Sequence, residues 1–452
     1  MDTQVETAGP GQSSQRYPVW LMLMLMLMLV ALSSFIDRVI VATLGPAIKA
    51  DLGISDTQFG LLTGLAFALL YTSAGIPVAR LADRFNRVRL LAAATTIWSV
   101  MTMLSATASS YLQLLLLRLG VGIGESAANP CTISLVSDRF PRHKRGSALA
   151  VVALGASLGS LVGGFGGGWL GEHVGWRMTF LIVGAPGLAL ALLLITTLKE
   201  LPRGRFDHSP AASDETPPLS ALFRTMREKP AFLNMAVACG LTSFVNFGVL
   251  LFLPLYFGRA YGMSMTQAGL LFGLVTSISN GVGTLLGGFG VDRVGKRDDR
   301  WYAWMPALSL VLAAPLYAIG LSITNWRIAM PIVVGAAVLA FTFYAPTFAG
   351  IQNMVESRMR ASASAIIIFF QNLVGMGLGP LFVGAMSDVY AARRFEGDYA
   401  ARCVGTAARE ATECLAASSV GIRYAMITCV GVLLWAAVHY WLASRSIRRD
   451  MN

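Results

Sequence analysis

Four charged residues sit where charge is expensive. Asp37 and Arg38 lie inside an apolar stretch from Trp20 to Pro46 that begins WLMLMLMLMLVALSSF, and Arg118 and Glu125 lie inside a second such stretch. A formal charge at membrane depth costs at least ~2.5 kcal/mol on insertion scales, so such residues face partners, water or a bound solute. Carboxylates there can carry protons, and a guanidinium can hold an anion by two hydrogen bonds. The four charges sum to zero, which a shared polar cavity tolerates if each finds water, a partner or a substrate. Asp37 and Arg38 leave their helix about 100° apart, so they need not pair with each other. Arg118 and Glu125 share one helix face, roughly 10 Å apart along the axis. The chemistry implied is passage of a charged solute through a polar centre.

The elements that must position these residues are membrane helices. Of the 452 residues 55% are hydrophobic and only 13% charged. Segment after segment reaches the ~20 apolar residues that span a bilayer. Twelve such spans follow one another, from 19–47 to 422–443. The first is too long for a simple perpendicular helix and is expected to tilt, protrude or break near Gly45-Pro46. It lacks a small-residue cleavage region and reads as retained.

Basic residues give an orientation. Arg80, Arg84, Arg87 and Arg89 flank one short connection, Arg139, Arg142, Lys144 and Arg145 another, and Arg293, Lys296, Arg297 and Arg300 a third. All follow even-numbered spans, so the positive-inside rule places these loops and both termini in the cytoplasm, with the chain in the inner membrane. The net charge of +11 reflects this bias and contact with anionic lipid rather than nucleic-acid binding. Cys131, Cys239 and Cys429 read as small packing residues. Cys403 and Cys414 share the predicted extracytoplasmic loop between spans 11 and 12, where a disulfide is permitted and two unpaired thiols are the alternative. His143, His173, His208 and His439 do not cluster with acidic or cysteine ligands, so no metal site is read. No glycine run is followed by Lys-Ser or Lys-Thr, which argues against an ATP-driven pump. No cofactor and no enzymatic activity are expected.

The chain repeats itself. Thr57, Gln58, Gly60, Leu61 and Leu62 recur as Thr266, Gln267, Gly269, Leu270 and Leu271, and the same offset carries Phe35 onto Phe244 and Asp83-Arg84 onto Asp292-Arg293. A shared register over separate sites marks an internal duplication. The halves are 1–200 and 230–452, joined by a cytoplasmic linker, 201–229, whose end ALFRTMREK suits a short surface helix. Each half has an even number of spans, so both point the same way, as in parallel repeats related by an axis along the membrane normal. Asp37 and Arg38 align with Asn246 and Phe247, and, on a register set by Asn129-Pro130 and Ala345-Pro346, Arg118 aligns with Val334 and Glu125 with Phe341. The charges are thus confined to the first half. The matching wall of the second, including Asn246, Phe247, Phe341 and Tyr344, is aromatic and weakly polar, which suits the body of an amphiphile. Gly155, Gly159, Gly163, Gly167 and Gly171 recur every fourth residue and read as close helix packing, with a sliding seam as the functional alternative. Gly375 and Gly379 read similarly.

The strings ARLADRFNRVR (79–89) and GGFGVDRVGKR (287–297) resemble the signature loops of the major facilitator superfamily. RLGVGIGESAANP (118–130), SDRFP (137–141), SFIDR (34–38), LGISDTQFGLLTG and GWRMTFLIVGAPG (175–187) resemble Spinster-type transporters over nearly all of the first half. Ala79 and Asn86 stand where superfamily members commonly carry glycine. The resemblance implies an all-α integral membrane protein with the major facilitator fold, twelve transmembrane helices in two six-helix bundles, working by alternating access as a monomer. It implies a cytoplasmic gate at Asp83, Arg84, Asp292 and Arg293; Arg87 and Arg89 by themselves read as solvated basic turn residues. Spinster-like proteins in animals export sphingosine-1-phosphate or move lysophospholipids, so the implied substrate is an amphipathic anionic lipid. Arg38 would anchor its headgroup. Asp37 and Glu125 would control protonation or opening, and Arg118 would brace Glu125 or extend the polar path. A proton-coupled exporter of hydrophobic drugs or other small organic solutes is the alternative.

Overall fold

The computed structural model describes residues 17–200, 219–356, 359–404 and 412–451, which form helices joined by short turns. Among the described residues eleven helices are long and apolar enough to cross a membrane. Spans 1, 2 and 3 are Trp20–Thr43, Asp56–Ala82 and Arg87–Ser105, and spans 5 and 6 are Ser147–His173 and Gly175–Thr197. Span 4 is Tyr111–Glu125 continued by Ala128–Arg139, the segment that carries Arg118 and Glu125. Spans 7 to 12 are Pro230–Tyr261, Met265–Val294, Trp301–Ser322, Trp326–Met354, Ser362–Arg394 and Thr412–Met451. Within the first six, span 5 packs on span 1, span 3 on span 6 and span 2 on span 4; within the last six, span 12 packs on spans 7, 9 and 11, and span 8 on span 10. The result is two six-helix bundles. Most of the expected linker, 201–218, lies outside the described residues; its end forms the short helix Leu219–Glu228. The side where span 1 begins and span 12 ends is the terminal face, and the opposite side is the far face. On the terminal face Arg448 bonds both oxygens of Asp298 at 2.9 and 2.5 Å and holds that carboxyl below its usual range.

The long first segment breaks where its proline demands. Helix Tyr17–Thr43 stops, and Gly45–Leu52 starts a new helix with Pro46 in its first turn, where the missing N–H costs nothing. Gly53 then ends this helix at φ 63°, and Gly262 ends span 7 at φ 65°, a left-handed conformation that glycine adopts without penalty. Two residues on, Ser55 and Ser264 begin spans 2 and 8 with capping boxes to Gln58 and Gln267. Two hairpins of the repeat therefore share one backbone solution.

Spans 4 and 10 share another. Pro130 and Pro346 each lack the N–H that would bond the carbonyl four residues earlier, and each helix breaks there, at 126–127 and at 342–343. The hydroxyls of Ser126 and Thr342 turn back to the carbonyls of Ile123 and Leu339, each at 2.7 Å. Glu125 and Phe341 are the last residues before the two breaks.

The glycine ladder of span 5 lies within one bundle. A Cβ on Gly163 would stand 3.0 Å from Ile36 Cα, and one on Gly167 3.0 Å from an Ile40 side-chain carbon, so the ladder seats span 1. Gly375 and Gly379 likewise seat span 7 through Ser243 and Phe244. The seam between bundles uses the neighbouring face of span 5: a Cβ on Gly164 would meet Gly273 Cα at 3.0 Å, and Ser277 donates to Ser157 O at 2.9 Å. On the other side, a Cβ on Gly64 of span 2 would meet the carbonyl of Gly377 in span 11 at 2.8 Å. These contacts run from the far face to about the middle of the spans. One turn further toward the terminal face, Ala153 and Asn280 are exposed on the same faces of spans 5 and 8. The bundles are closed at the far face, and the seam of spans 5 and 8 ends at that turn. Gly163→Leu should lower stability by about 1–3 kcal/mol through overpacking, read as a lower unfolding temperature in detergent. Gly166→Leu, where a Cβ meets nothing within 4 Å, should leave it nearly unchanged.

Candidate functional site

Span 1 sends Asp37 and Arg38 in different directions, and each finds its own opposite charge on span 4. Arg38 Nε donates to Glu125 Oε2 at 2.6 Å, and the Ser34 hydroxyl donates to the same oxygen at 2.8 Å. Arg118 approaches Asp37 Oδ2 at 3.4 Å, and Thr102 of span 3 donates to Asp37 Oδ1 at 2.7 Å. Two crossed ion pairs therefore bind span 1 to span 4. Arg118 braces Asp37 and not Glu125: the ~10 Å along one helix face exceeds what bent side chains close, whereas the antiparallel neighbour brings Asp37 within reach. Asp37, Arg118 and Glu125 are buried, while the Arg38 side chain keeps 22% of its surface exposed. Among the described residues Glu125 Oε1 and Arg118 Nε have no hydrogen-bond partner, so the cluster holds spare polar capacity.

The surroundings of Arg38 are aromatic. Its guanidinium carbon lies 4.6 Å from the Tyr71 ring centre, 5.1 Å from Phe67 and 5.3 Å from Phe35. Such contacts hold a cation while leaving its hydrogen-bonding edge in play. Asn129, just past the break of span 4, donates to the Tyr71 hydroxyl at 3.0 Å. This collar escaped the sequence analysis because its rings lie on two helices, Phe35 on span 1 and Phe67 and Tyr71 on span 2, and only their packing brings them to one guanidinium.

The aromatic wall of the second bundle is divided by the structure. Phe247 packs against the apolar cluster that includes Phe67, Tyr71 and Met376. Tyr344 stays 37% exposed, with its ring 4.7 Å from Phe348. Asn246 is instead buried at 3% exposure, its amide 3.5 Å from Ala340 O. The Phe341 Cβ lies against Gly283 of span 8, 2.6 Å from where that glycine's Cβ would be. These two residues are placed by packing within their own bundle, because the break in span 10 turns Phe341 toward span 8.

At the terminal face Arg84, Asp292 and Arg293 are exposed; the side chain of Asp83 lies outside the described residues. Arg87 is not a solvated turn residue. It is 1% exposed and joins three spans, donating to Glu200 at 2.6 Å and Ser134 at 2.8 Å and pairing with Asp138. At the far face Cys403 and Cys414 form a disulfide, with Cα atoms 5.4 Å apart. A buried ion cluster also lies there that the sequence analysis did not single out. Asp56 accepts from both terminal nitrogens of Arg259 at 2.6 and 2.7 Å, from Lys49 at 2.9 Å and from Ser387 at 2.6 Å. Burial pushes the Lys49 ammonium below its ordinary value, against the opposing pull of Asp56. The repeated motif that begins at the adjoining Thr57 was the available signal.

The crossed pairs predict strong coupling. Asp37→Leu leaves Arg118 buried and unpaired, which should cost about 3–5 kcal/mol. Asp37→Leu combined with Arg118→Leu should recover most of it. Equal unfolding temperatures for the single and double variants in detergent would exclude that pairing.

The sequence model of the Major Facilitator Superfamily matches residues 26–395. An MFS-type efflux pump of Mycolicibacterium smegmatis is 31% identical over 426 residues, covering 94% of this chain and 92% of that protein. Protein spinster homolog 1 of Homo sapiens is 25% identical over 403 residues, covering 84% and 74%. The crystal structure of a bacterial homologue to the human lysosomal transporter Spinster, inward-facing and unoccupied, matches with a TM-score of 0.87 at 30% identity, covering 97% of this chain and 99% of that one. Two bundles closed at one face around a charged centre suit alternating access, and the chain belongs to the Major Facilitator Superfamily as a Spinster-like membrane transporter rather than an enzyme.

Proposed function

We propose that this transporter moves an amphipathic anionic lipid, a lysophospholipid or a sphingoid-base phosphate, with Arg38 as the headgroup anchor. The observation that carries the reading is the state of Arg38. It is a partly exposed guanidinium in an aromatic collar, with Nε committed to Glu125. Its planar fork suits a phosphate. Phe247 and Tyr344 are the second-bundle residues placed to meet an apolar chain; Asn246 and Phe341 would act only through the packing of spans 7, 8 and 10. The similarity to a bacterial homologue of the human lysosomal transporter Spinster supports the family resemblance from which the substrate class follows.

The same geometry supports proton coupling through Glu125. A substrate phosphate and the Glu125 carboxylate compete for one guanidinium. A buried carboxylate that loses its cation is costly to leave charged, so proton uptake accompanies headgroup binding. Asp37 keeps its partners Arg118 and Thr102 throughout and has the supporting role. The terminal face, rich in Arg and Lys, would be cytoplasmic under the positive-inside rule, placing the chain in the inner membrane with both termini inside. The closed far face is then the extracytoplasmic one. Asp83, Arg84, Asp292 and Arg293 would form the gate that closes the terminal face in the opposite state. A monomer contains the whole pathway.

A second reading is export of a hydrophobic drug or other small organic solute, favoured by the 31% identity to an MFS-type efflux pump. Proteoliposomes of purified protein separate the two: saturable movement of a lysophospholipid, uncompeted by cationic drugs, supports lipid transport, and the reverse result rejects it. Arg38→Ala should weaken productive phosphate binding about tenfold or more, the scale of a lost charge-assisted bond, with Arg38→Lys restoring it only in part. Equal uptake by wild type and Arg38→Ala across a concentration series would sink the anchor. Glu125→Gln should suppress substrate-linked proton flux more than binding, and unchanged flux would leave proton-independent movement as the mechanism.

A further inference from the structure

The far face carries two matching contacts between bundles. In one, Asp388 near the end of span 11 accepts from the backbone N–H of Thr57 at 2.8 Å and from its hydroxyl at 2.6 Å, and Asp56 N–H donates to its other oxygen at 3.1 Å. In the other, Glu172 near the end of span 5 accepts from the backbone N–H of Thr266 at 3.0 Å and from its hydroxyl at 2.6 Å. Thr57 and Thr266 are equivalent positions of the repeat. Asp388 stands to Glu172 as Phe341 stands to Glu125, on the register that relates the breaks of spans 4 and 10. Each contact thus sets a carboxylate of one bundle on the first turn of a helix in the other, where unpaired N–H groups and the helix dipole favour negative charge.

The two contacts are unequal. Position 265, the repeat partner of Asp56, is Met265. Only the first contact therefore has an adjoining ion cluster, in which Asp56 of the first bundle is gripped by Arg259 and Ser387 of the second. Asp56 is 4% exposed, whereas Glu172 and its bonds are exposed. Water competes for the second contact and is largely excluded from the first.

We propose that the far face is held shut by this pair of repeat-related carboxylate clasps, and that the Asp388 clasp, backed by the Asp56–Arg259 pair, sets the balance between the two open states. When the bundles rock, spans 2 and 11 must separate at Thr57 and Asp388. The freed carboxylates and helix ends then exchange their mutual bonds for water. Removing a clasp lowers the cost of that exchange without touching the Arg38 site.

The test uses the full chain with spin labels carried on genetically encoded residues at exposed Thr107 and Thr324 of the two bundles' far-face turns, which leaves the native cysteines in place. Pulsed electron resonance in nanodiscs reads the distance distribution. Asp388→Asn and Arg259→Gln should raise the far-open to far-closed ratio about tenfold. Thr57→Val, which removes one hydroxyl and no charge, should raise it less, and Glu172→Gln least. Binding of the lipid probe, measured as tryptophan quenching by a brominated lysophospholipid, should change by no more than the population shift predicts. Distributions for Asp388→Asn and Thr57→Val that match wild type, in protein that elutes and melts normally, would overturn the proposal. So would a larger shift from Glu172→Gln than from Asp388→Asn. Should Asp388→Asn fail to fold, Thr57→Val decides alone: a shift supports the clasp, and none rejects it.

Discussion

A charge buried in a lipid-embedded helix must find its opposite, and span 1 carries two charges side by side. Because adjacent side chains leave a helix about 100° apart, Asp37 and Arg38 cannot be satisfied by one neighbour position. Asp37 turns to Arg118 and Thr102, and Arg38 turns to Glu125, whose carboxylate also accepts from Ser34. Span 1 is thereby registered against spans 3 and 4 together, and the glycine ladder of span 5 closes on its remaining face. The order of the first bundle follows from this requirement. So does the one residue left partly uncovered, Arg38, whose aromatic collar replaces the polar shell that a cation would otherwise need.

The second bundle shows what the same architecture does without the charges. Its hairpin between spans 7 and 8 repeats the glycine cap and the capping box of the hairpin between spans 1 and 2. Its span 10 repeats the break of span 4. Where Asp37 binds Arg118, Asn246 offers one long hydrogen bond to the backbone of span 10. The second bundle is held by close apolar packing, with Phe252, Tyr256, Phe257 and Tyr317 buried. Local backbone devices survive duplication because they need only a few neighbouring residues. An ion pair needs both partners on different helices, and here the second bundle has neither.

Glycine serves two mechanical purposes on adjacent faces of span 5. Toward span 1 it fixes helices of one bundle that move together. Toward span 8, Gly164 meets the backbone near Gly273 across the bundle boundary. Backbone contact without interlocking side chains gives tight closure with few rotamers to release on opening. Polar bonds between the bundles then hold the far face closed.

Much of this was legible in the residues themselves. Unbroken apolar runs specify membrane helices because a bilayer requires about 20 such residues, and Thr57-Gln58 recurring as Thr266-Gln267 exposes the duplication. Asp37, Arg38, Arg118 and Glu125 announce the polar centre because charge in lipid is rarely incidental. Which acid meets which base was not legible: pairing is set by how helices rotate and stagger, and no spacing along one chain encodes a neighbour. The burial of Arg87 among Asp138, Ser134 and Glu200 was hidden for the same reason, since an arginine beside a turn reads as solvated until other helices enclose it. The far-face clasps drew no notice because Glu172, Arg259 and Asp388 are single charges near helix ends. Only the apposition of two bundles gives each one a partner.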